Sequence, residues 1–172
     1  AAMGALKMGD GLEDGVDVGP LVNAATRDKV QAFVEDAVAK GAKLRLGGQA
    51  PEGKGFFYPP TVLTDVPETA DCVHDEIFGP VAALQTFTDQ DDVIRRANDT
   101  EYGLVAYVFS GDFRRGIQVS ERLDYGMVGL NRGLVSDPAA PFGGSKQSGI
   151  GREGGHEGMF EFMETQYISA EW

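Results

Sequence analysis

The sequence predicts an α/β fold in which parallel strands are joined by helical crossovers. Three observations carry this reading. Strand-like and helix-like segments alternate from Val81 to Leu130. Between Asn23 and Gly41, apolar residues fall at Val30, Phe33, Val34, Ala37 and Val38, the spacing of one buried helical stripe. Leu104 to Phe109 is an uninterrupted apolar run, as in a strand covered on both faces.

Taken in order, residues 1–22 form a turn-rich entry containing Gly9 to Gly11 and ending in Gly19-Pro20. Asn23 is placed as the N-cap of the first helix and Gly41 as its left-handed stop. Lys43 to Leu46 reads as a short strand. A Gly/Pro-rich hairpin-like stretch follows from Gly47 to Gly55. Phe56 to Val62 reads as a second strand, held to an edge or made irregular by Pro59-Pro60. From there the pattern is β-α-β-α-β. Its strands are Val81 to Phe87, Leu104 to Phe109 and Met127 to Leu130, and Asp89 and Asp112 cap the two helices. This order implies parallel strands with right-handed crossovers. Gly133 to Gly158 is loop-like. Glu161 to Ser169 reads as a closing strand whose Phe162, Tyr167 and Ile168 have no evident partner in the chain. Residues 1–160 are thus expected to form one domain portion and residues 161–172 a strand pairing elsewhere or with another subunit.

At 172 residues, the chain suits about one domain that folds without staples. One Cys excludes an internal disulfide, and one Cys with two His is too few for a four-ligand zinc site. Fifteen basic against 27 acidic residues give a net charge of −12, which argues against nucleic acid and anionic membranes as partners. No apolar run approaches the roughly 18 residues of a membrane span. The first eleven residues carry no apolar secretory core, so a cytoplasmic location is expected. Glycine is the outlier: 24 residues, about twice the usual share of ~7%. Seven of them lie between Phe142 and Gly158, where backbone must come close to something a side chain would obstruct.

Several motifs fail on context. Gly149-x-Gly151-x-x-Gly154 spells a dinucleotide fingerprint, but no strand precedes it and too little chain follows for a βαβ unit. Lys146 lacks the preceding Gly of a phosphate loop. Cys72 has His74 nearby but nothing else that would make it a nucleophile, and a structural thiol is the commoner case. His156, in the glycine-rich loop, reads as solvent-facing. Asn98-Asp-Thr100 matches a glycosylation acceptor that has no meaning without a secretory signal.

Glu76-Ile-Phe-Gly-Pro80 leading into an apolar strand is different. With Lys7-Met-Gly-Asp10, Gly19-Pro20, Gly41-Ala-Lys43, Phe57-Tyr-Pro-Pro-Thr-Val62, Tyr102-Gly-Leu104, Pro141-Phe-Gly-Gly144, Lys146-Gln-Ser-Gly149 and Gly151-Arg-Glu153, it forms an ordered set along the chain. Together these resemble the C-terminal third of the NAD(P)-dependent aldehyde dehydrogenases. The resemblance implies a portion of that family's catalytic domain plus its C-terminal oligomerisation strand. It also implies aldehyde oxidation through a Cys thiolate, with water activated by a Glu base and amide donors on the oxyanion. No residue here takes the nucleophile's or base's place, since both are expected upstream of Ala1, together with the cofactor domain. By resemblance, Glu76 holds the ribose next to nicotinamide and Phe78 packs beside that ring. Phe142 lines the substrate tunnel, where Gly143 and Gly144 let the backbone turn tightly.

Asn131-Arg-Gly-Leu-Val-Ser136, running to Pro141-Phe142, resembles the succinate-semialdehyde branch, which has Ser where relatives carry a bulky aromatic. Ser136 is therefore a candidate for the substrate's distal carboxylate, with opening of the turn at Asp137-Pro138 as the competing reading. The resemblance implies NAD or NADP as cofactor, a small aldehyde as substrate and a homo-oligomer through the last strand. The ribose-reading residues that would separate NAD from NADP lie upstream. The chain by itself is expected to be inactive. The alternatives are a non-catalytic remnant that only associates with other subunits and a nucleotide-binding module using the glycine-rich loop. Missing βαβ context disfavours the last.

Overall fold

A computed structural model describes residues 2–172. The chain forms two compact units, Ala1–Thr86 and Phe87–Trp172.

In the first unit, helix α1 (Ala24–Ala39) opens at Asn23, whose Oδ1 accepts the Thr26 N–H at 2.8 Å. It stops where Gly41 turns left-handed (φ +111). Val30, Phe33, Val34 and Ala37 are buried along its stripe, while Val38 lies at the margin and is exposed. Strand β1 (Lys43–Leu46) runs antiparallel to β2 (Thr61–Thr64), and β2 runs parallel to β3 (Val81–Ala83). α1 covers this sheet, and Tyr58, Leu63 and Val66 complete the core beneath it. A single helical turn, α2 (Asp71–His74), had no signal in the periodicity. Its first residue is tied to α1: the Asp71 N–H donates to Asp36 at 2.9 Å, and Lys40 Nζ stands 2.7 Å from both carboxylates.

The second strand begins at Thr61, not at Phe56 as expected. Pro59 and Pro60 have no N–H to give a ladder, so pairing starts at Thr61, whose N–H reaches Pro80 O at 2.8 Å.

In the second unit, α3 (Gln90–Asn98) and α4 (Phe113–Ser120) start at the expected caps. Asp89 accepts from Asp92 N–H at 2.8 Å, and Asp112 accepts from Arg115 N–H at 3.1 Å. Between and after these helices lie β4 (Tyr102–Gly103), β5 (Val105–Val108), β6 (Met127–Leu130) and β7 (Ser145–Lys146). β5–α4–β6 is a true crossover, with Val105 to Val108 in parallel register with Met127 to Leu130. β4 and β7 pair antiparallel.

The α/β class stands, with parallel pairs β2–β3 in the first unit and β5–β6 in the second. β3 pairs with β2, and the chain leaving α3 enters β4, which is claimed by β7. Periodicity marks strands; partners are set by hydrogen bonds between segments distant in sequence.

The closing segment begins later than Glu161: Glu157–Phe162 is a 3-10 helix, and residues 163–172 make no ladder among the described residues. Glu161 is held back by accepting the Arg152 N–H at 3.2 Å, and a strand cannot be assigned without a partner edge.

The glycine-rich stretch is explained by close backbone approach. A Cβ on Gly126 would meet the Gly143 carbonyl, and one on Gly143 would meet the Gly151 carbonyl. Three chain segments therefore stack backbone on backbone. Gly149 to Gly154 leads into a 3-10 helix and opens no α-helix, so the fingerprint string is no dinucleotide loop. Among the described residues, no helix is long and apolar enough to cross a membrane.

Candidate functional site

Glu76 follows α2 on an exposed segment of the first unit. Lys29, on α1, donates from Nζ to the Glu76 carbonyl at 2.8 Å. The backbone is thereby anchored, while the carboxylate makes no hydrogen bond or ion pair among the described residues. Two residues on, Phe78 is held at φ +50 and is 70% exposed. A left-handed backbone is unusual for a bulky residue, and such outliers concentrate at functional sites. The ring borders a mostly apolar cavity of about 460 Å³ shared with Pro20, Leu21, Val22 and Thr26. An aromatic face beside an apolar recess offers a stacking surface, and a nearby unpaired carboxylate offers two acceptors.

The second unit supplies the other candidates. The chain leaves β6 at Asn131 and returns at β7. On the way, Phe142 pairs with Glu153 through reciprocal backbone bonds of 2.7 Å, which leaves its half-buried ring lining two cavities. The larger, about 590 Å³, is walled by Leu104, the Gly143-Gly144 backbone, Arg152 and Glu161. Arg152 does not face it freely, because its Nη1 donates to Gly144 O at 2.7 Å and Gly151 O at 2.9 Å. The smaller, about 270 Å³, brings Ser136 and Phe142 together with Asp137, Pro138, Glu153 and Gly154.

The turn beside Ser136 is made by Asp137. Its carboxylate accepts the Ala139 N–H at 2.9 Å and its carbonyl the Ala140 N–H at 3.0 Å. The Ser136 hydroxyl makes no hydrogen bond among the described residues, so turn-forming does not use it. The recess contains no Lys or Arg and does contain two carboxylates. It cannot hold an anion without cations from elsewhere.

Cys72 lies buried on α2, and burial pushes its thiol up, with the Asp36 charge adding to the effect. His74 Nε2 sits 2.7 Å from the Glu68 carbonyl. These surroundings suit a structural thiol. His156 is exposed and meets Phe160 edge-on at 5.0 Å. No group of three or more His, Cys, Asp or Glu among the described residues could hold a metal ion. The sequence did not single out Asn131 or Arg152 as anchors. The left-handed backbone of one and the carbonyl partners of the other exist only in three dimensions.

Residues 1–168 match the family model described as "Aldehyde dehydrogenase family". The chain is 54% identical over 168 residues to a succinate-semialdehyde dehydrogenase of Paenarthrobacter nicotinovorans, covering 98% of this chain and 37% of that protein. It is 49% identical to a glutarate-semialdehyde dehydrogenase of Pseudomonas putida, covering 98% of this chain and 35% of that protein. Among solved structures, an NADP-dependent enzyme of E. coli superposes with a TM-score of 0.92 at 46% identity, over 97% of this chain and 35% of that one. The chain thus spans little more than a third of the length of these relatives. With the ordered motifs, the fold and this match along nearly all its length, the chain belongs to the aldehyde dehydrogenase family.

Proposed function

We propose that this chain is part of an oxidoreductase that oxidises a short aldehyde with a distal anionic group, succinic semialdehyde first, to the carboxylic acid using NAD(P)+. In this reading, residues 1–160 are a portion of the catalytic domain and residues 161–172 are the strand that joins subunits. Glu76 accepts hydrogen bonds from the ribose hydroxyls next to nicotinamide, a geometry that suits a carboxylate facing two vicinal donors. Phe78 stacks beside the nicotinamide. Phe142 forms the wall of the substrate tunnel, and Ser136 donates to the substrate's far carboxylate. The cofactor supplies hydride acceptance. The chain's own residues bind and orient.

The observation that carries the substrate reading is the unengaged Ser136 hydroxyl, in a recess shared with Phe142, in a turn that Asp137 makes without it. A short hydroxyl leaves room for a carboxylate, where an aromatic would fill the space. The two relatives named for succinate and glutarate semialdehydes act on aldehydes that end in a carboxylate, which supports the same class. The acidic lining of the recess calls for cationic partners beyond the residues that line it.

The chain on its own is expected not to oxidise aldehydes, because its one thiol is buried and its pKa is raised. A decisive experiment measures NADPH and NADH formation with succinic semialdehyde and with butanal. It compares the 172-residue chain, the polypeptide that carries it in the cell, and the Ser136→Ala variant of that polypeptide. A hydrogen bond to a charged group is worth roughly 1.5–3 kcal/mol. Ser136→Ala should therefore lower kcat/KM for succinic semialdehyde roughly 10- to 150-fold and leave butanal nearly untouched. Equal losses with both substrates would make Ser136 structural. Turnover by the 172-residue chain that disappears in Cys72→Ser would refute the inactive reading.

A further inference from the structure

Asn131 stands where β6 ends and the segment carrying Ser136 and Phe142 begins. Its backbone is left-handed, at φ +54, a conformation that Asn tolerates better than most residues. Its own N–H donates to Val108 O at 2.8 Å, adding one rung to the β5–β6 ladder. Its side chain then does what a further backbone residue would do. Oδ1 accepts the Ser110 N–H at 2.8 Å and Nδ2 donates to Ser110 O at 2.9 Å. Ser110 is itself fixed, since its hydroxyl donates to Asp112 O at 2.8 Å beside the cap of α4. The far end of the same segment is held by β7 on β4 and by Phe142 on Glu153.

We infer that Asn131 is a positioning residue for substrate: its side-chain amide clamps the exit of β6 to Ser110 and so fixes where the Ser136–Phe142 wall stands. This rests on the substrate reading of Ser136 given above. Asn131 touches no reacting atom in this assignment. It acts through the direction in which the chain leaves the sheet. The residue type is specific on two counts. Glycine would accept the dihedral but make neither bond. Aspartate would keep the acceptor for the Ser110 N–H but set a carboxylate oxygen against the Ser110 carbonyl.

The test uses Asn131→Gly and Asn131→Asp in the polypeptide that carries this chain. Hydrogen exchange is read per residue, and kinetics are measured with succinic semialdehyde and butanal. Asn131→Gly should speed exchange of the Ser110 amide and of residues 132–142 by roughly tenfold, the scale of one or two lost hydrogen bonds. The amides of β1 and β2 should not change. KM for succinic semialdehyde should rise about tenfold with kcat within about twofold. Asn131→Asp should show a smaller change in both, because the Ser110 N–H keeps its acceptor. Unchanged exchange at Ser110 and the loop would overturn the clamp. Faster exchange with an unmoved KM would overturn the positioning role, as would loss of folding in both variants. If Ser136→Ala is silent while Asn131→Gly raises KM for both aldehydes alike, the clamp positions the wall and only the Ser136 reading fails.

Discussion

Tyr58 is fully buried, and its hydroxyl has no hydrogen-bond partner among the described residues. Leaving a buried polar group unpaired costs about 1–3 kcal/mol. Burial pushes the phenol up to about 12, and the Glu35 charge adds to it. Two outcomes are expected. Tyr58→Phe should raise unfolding stability by about 1 kcal/mol at neutral pH, read from urea melts. The pH dependence has a definite sign, because the unfolded phenol ionises near its ordinary 10.0 while the folded one keeps its proton to about 12. The unfolded state then binds fewer protons, so stability falls as pH rises between these values. That contribution should be absent from the stability curve of the Phe variant and appear in the difference between parent and variant. A variant less stable than the parent at neutral pH would show that the hydroxyl is satisfied in solution. The candidate site residues were also legible as types. Glu76, Phe78, Ser136 and Phe142 stand in motifs whose order is readable. The φ of +50 at Phe78 was not legible, because a backbone outlier persists only where surrounding structure imposes it.

Helix starts were the most legible elements. Asn23, Asp89 and Asp112 each accept the N–H three residues on, since an N-cap is a local interaction written within four residues. The single turn α2 was not legible, as its support comes from α1. Its link is the Asp36–Lys40–Asp71 cluster. The hydrogen bond from Lys40 holds the Asp36 carboxyl below its ordinary value, and the Asp71 N–H lowers it further. A carboxylate depressed in the folded state stabilises above its unfolded pKa of 3.8, and that contribution is lost as pH falls through the lower folded value. Asp36→Asn should therefore give a shallower acid limb below 3.8 than the parent, with the separation greatest at higher pH. Circular dichroism melts across the acid range would read this. Parallel acid limbs would mean that the cluster does not couple α1 to α2 in solution.

At the scale of the molecule, the exposed tail is the feature to test. Phe162 is 93% and Tyr167 87% exposed, and residues 163–172 form no ladder with any of the described residues. Apolar extended segments seek an edge, so the 172-residue chain should elute as a larger species than a version ending at Met159. Equal elution of both as monomers would remove the tail from any role in association. The sequence alone determined the family through motif order, the α/β class through alternating periods, and the starts of α1, α3 and α4 through their caps. These are local signals, carried by neighbours along the chain. The tertiary structure alone decided that β3 pairs with β2 and β5 with β6, and that Gly126, Gly143 and Gly151 bring three backbones together. It also decided that Asn131 reaches Ser110, and that the turn at Ser136 belongs to Asp137. Strand partners and close backbone approaches depend on groups many residues apart, and nothing in the spacing of either segment names its partner.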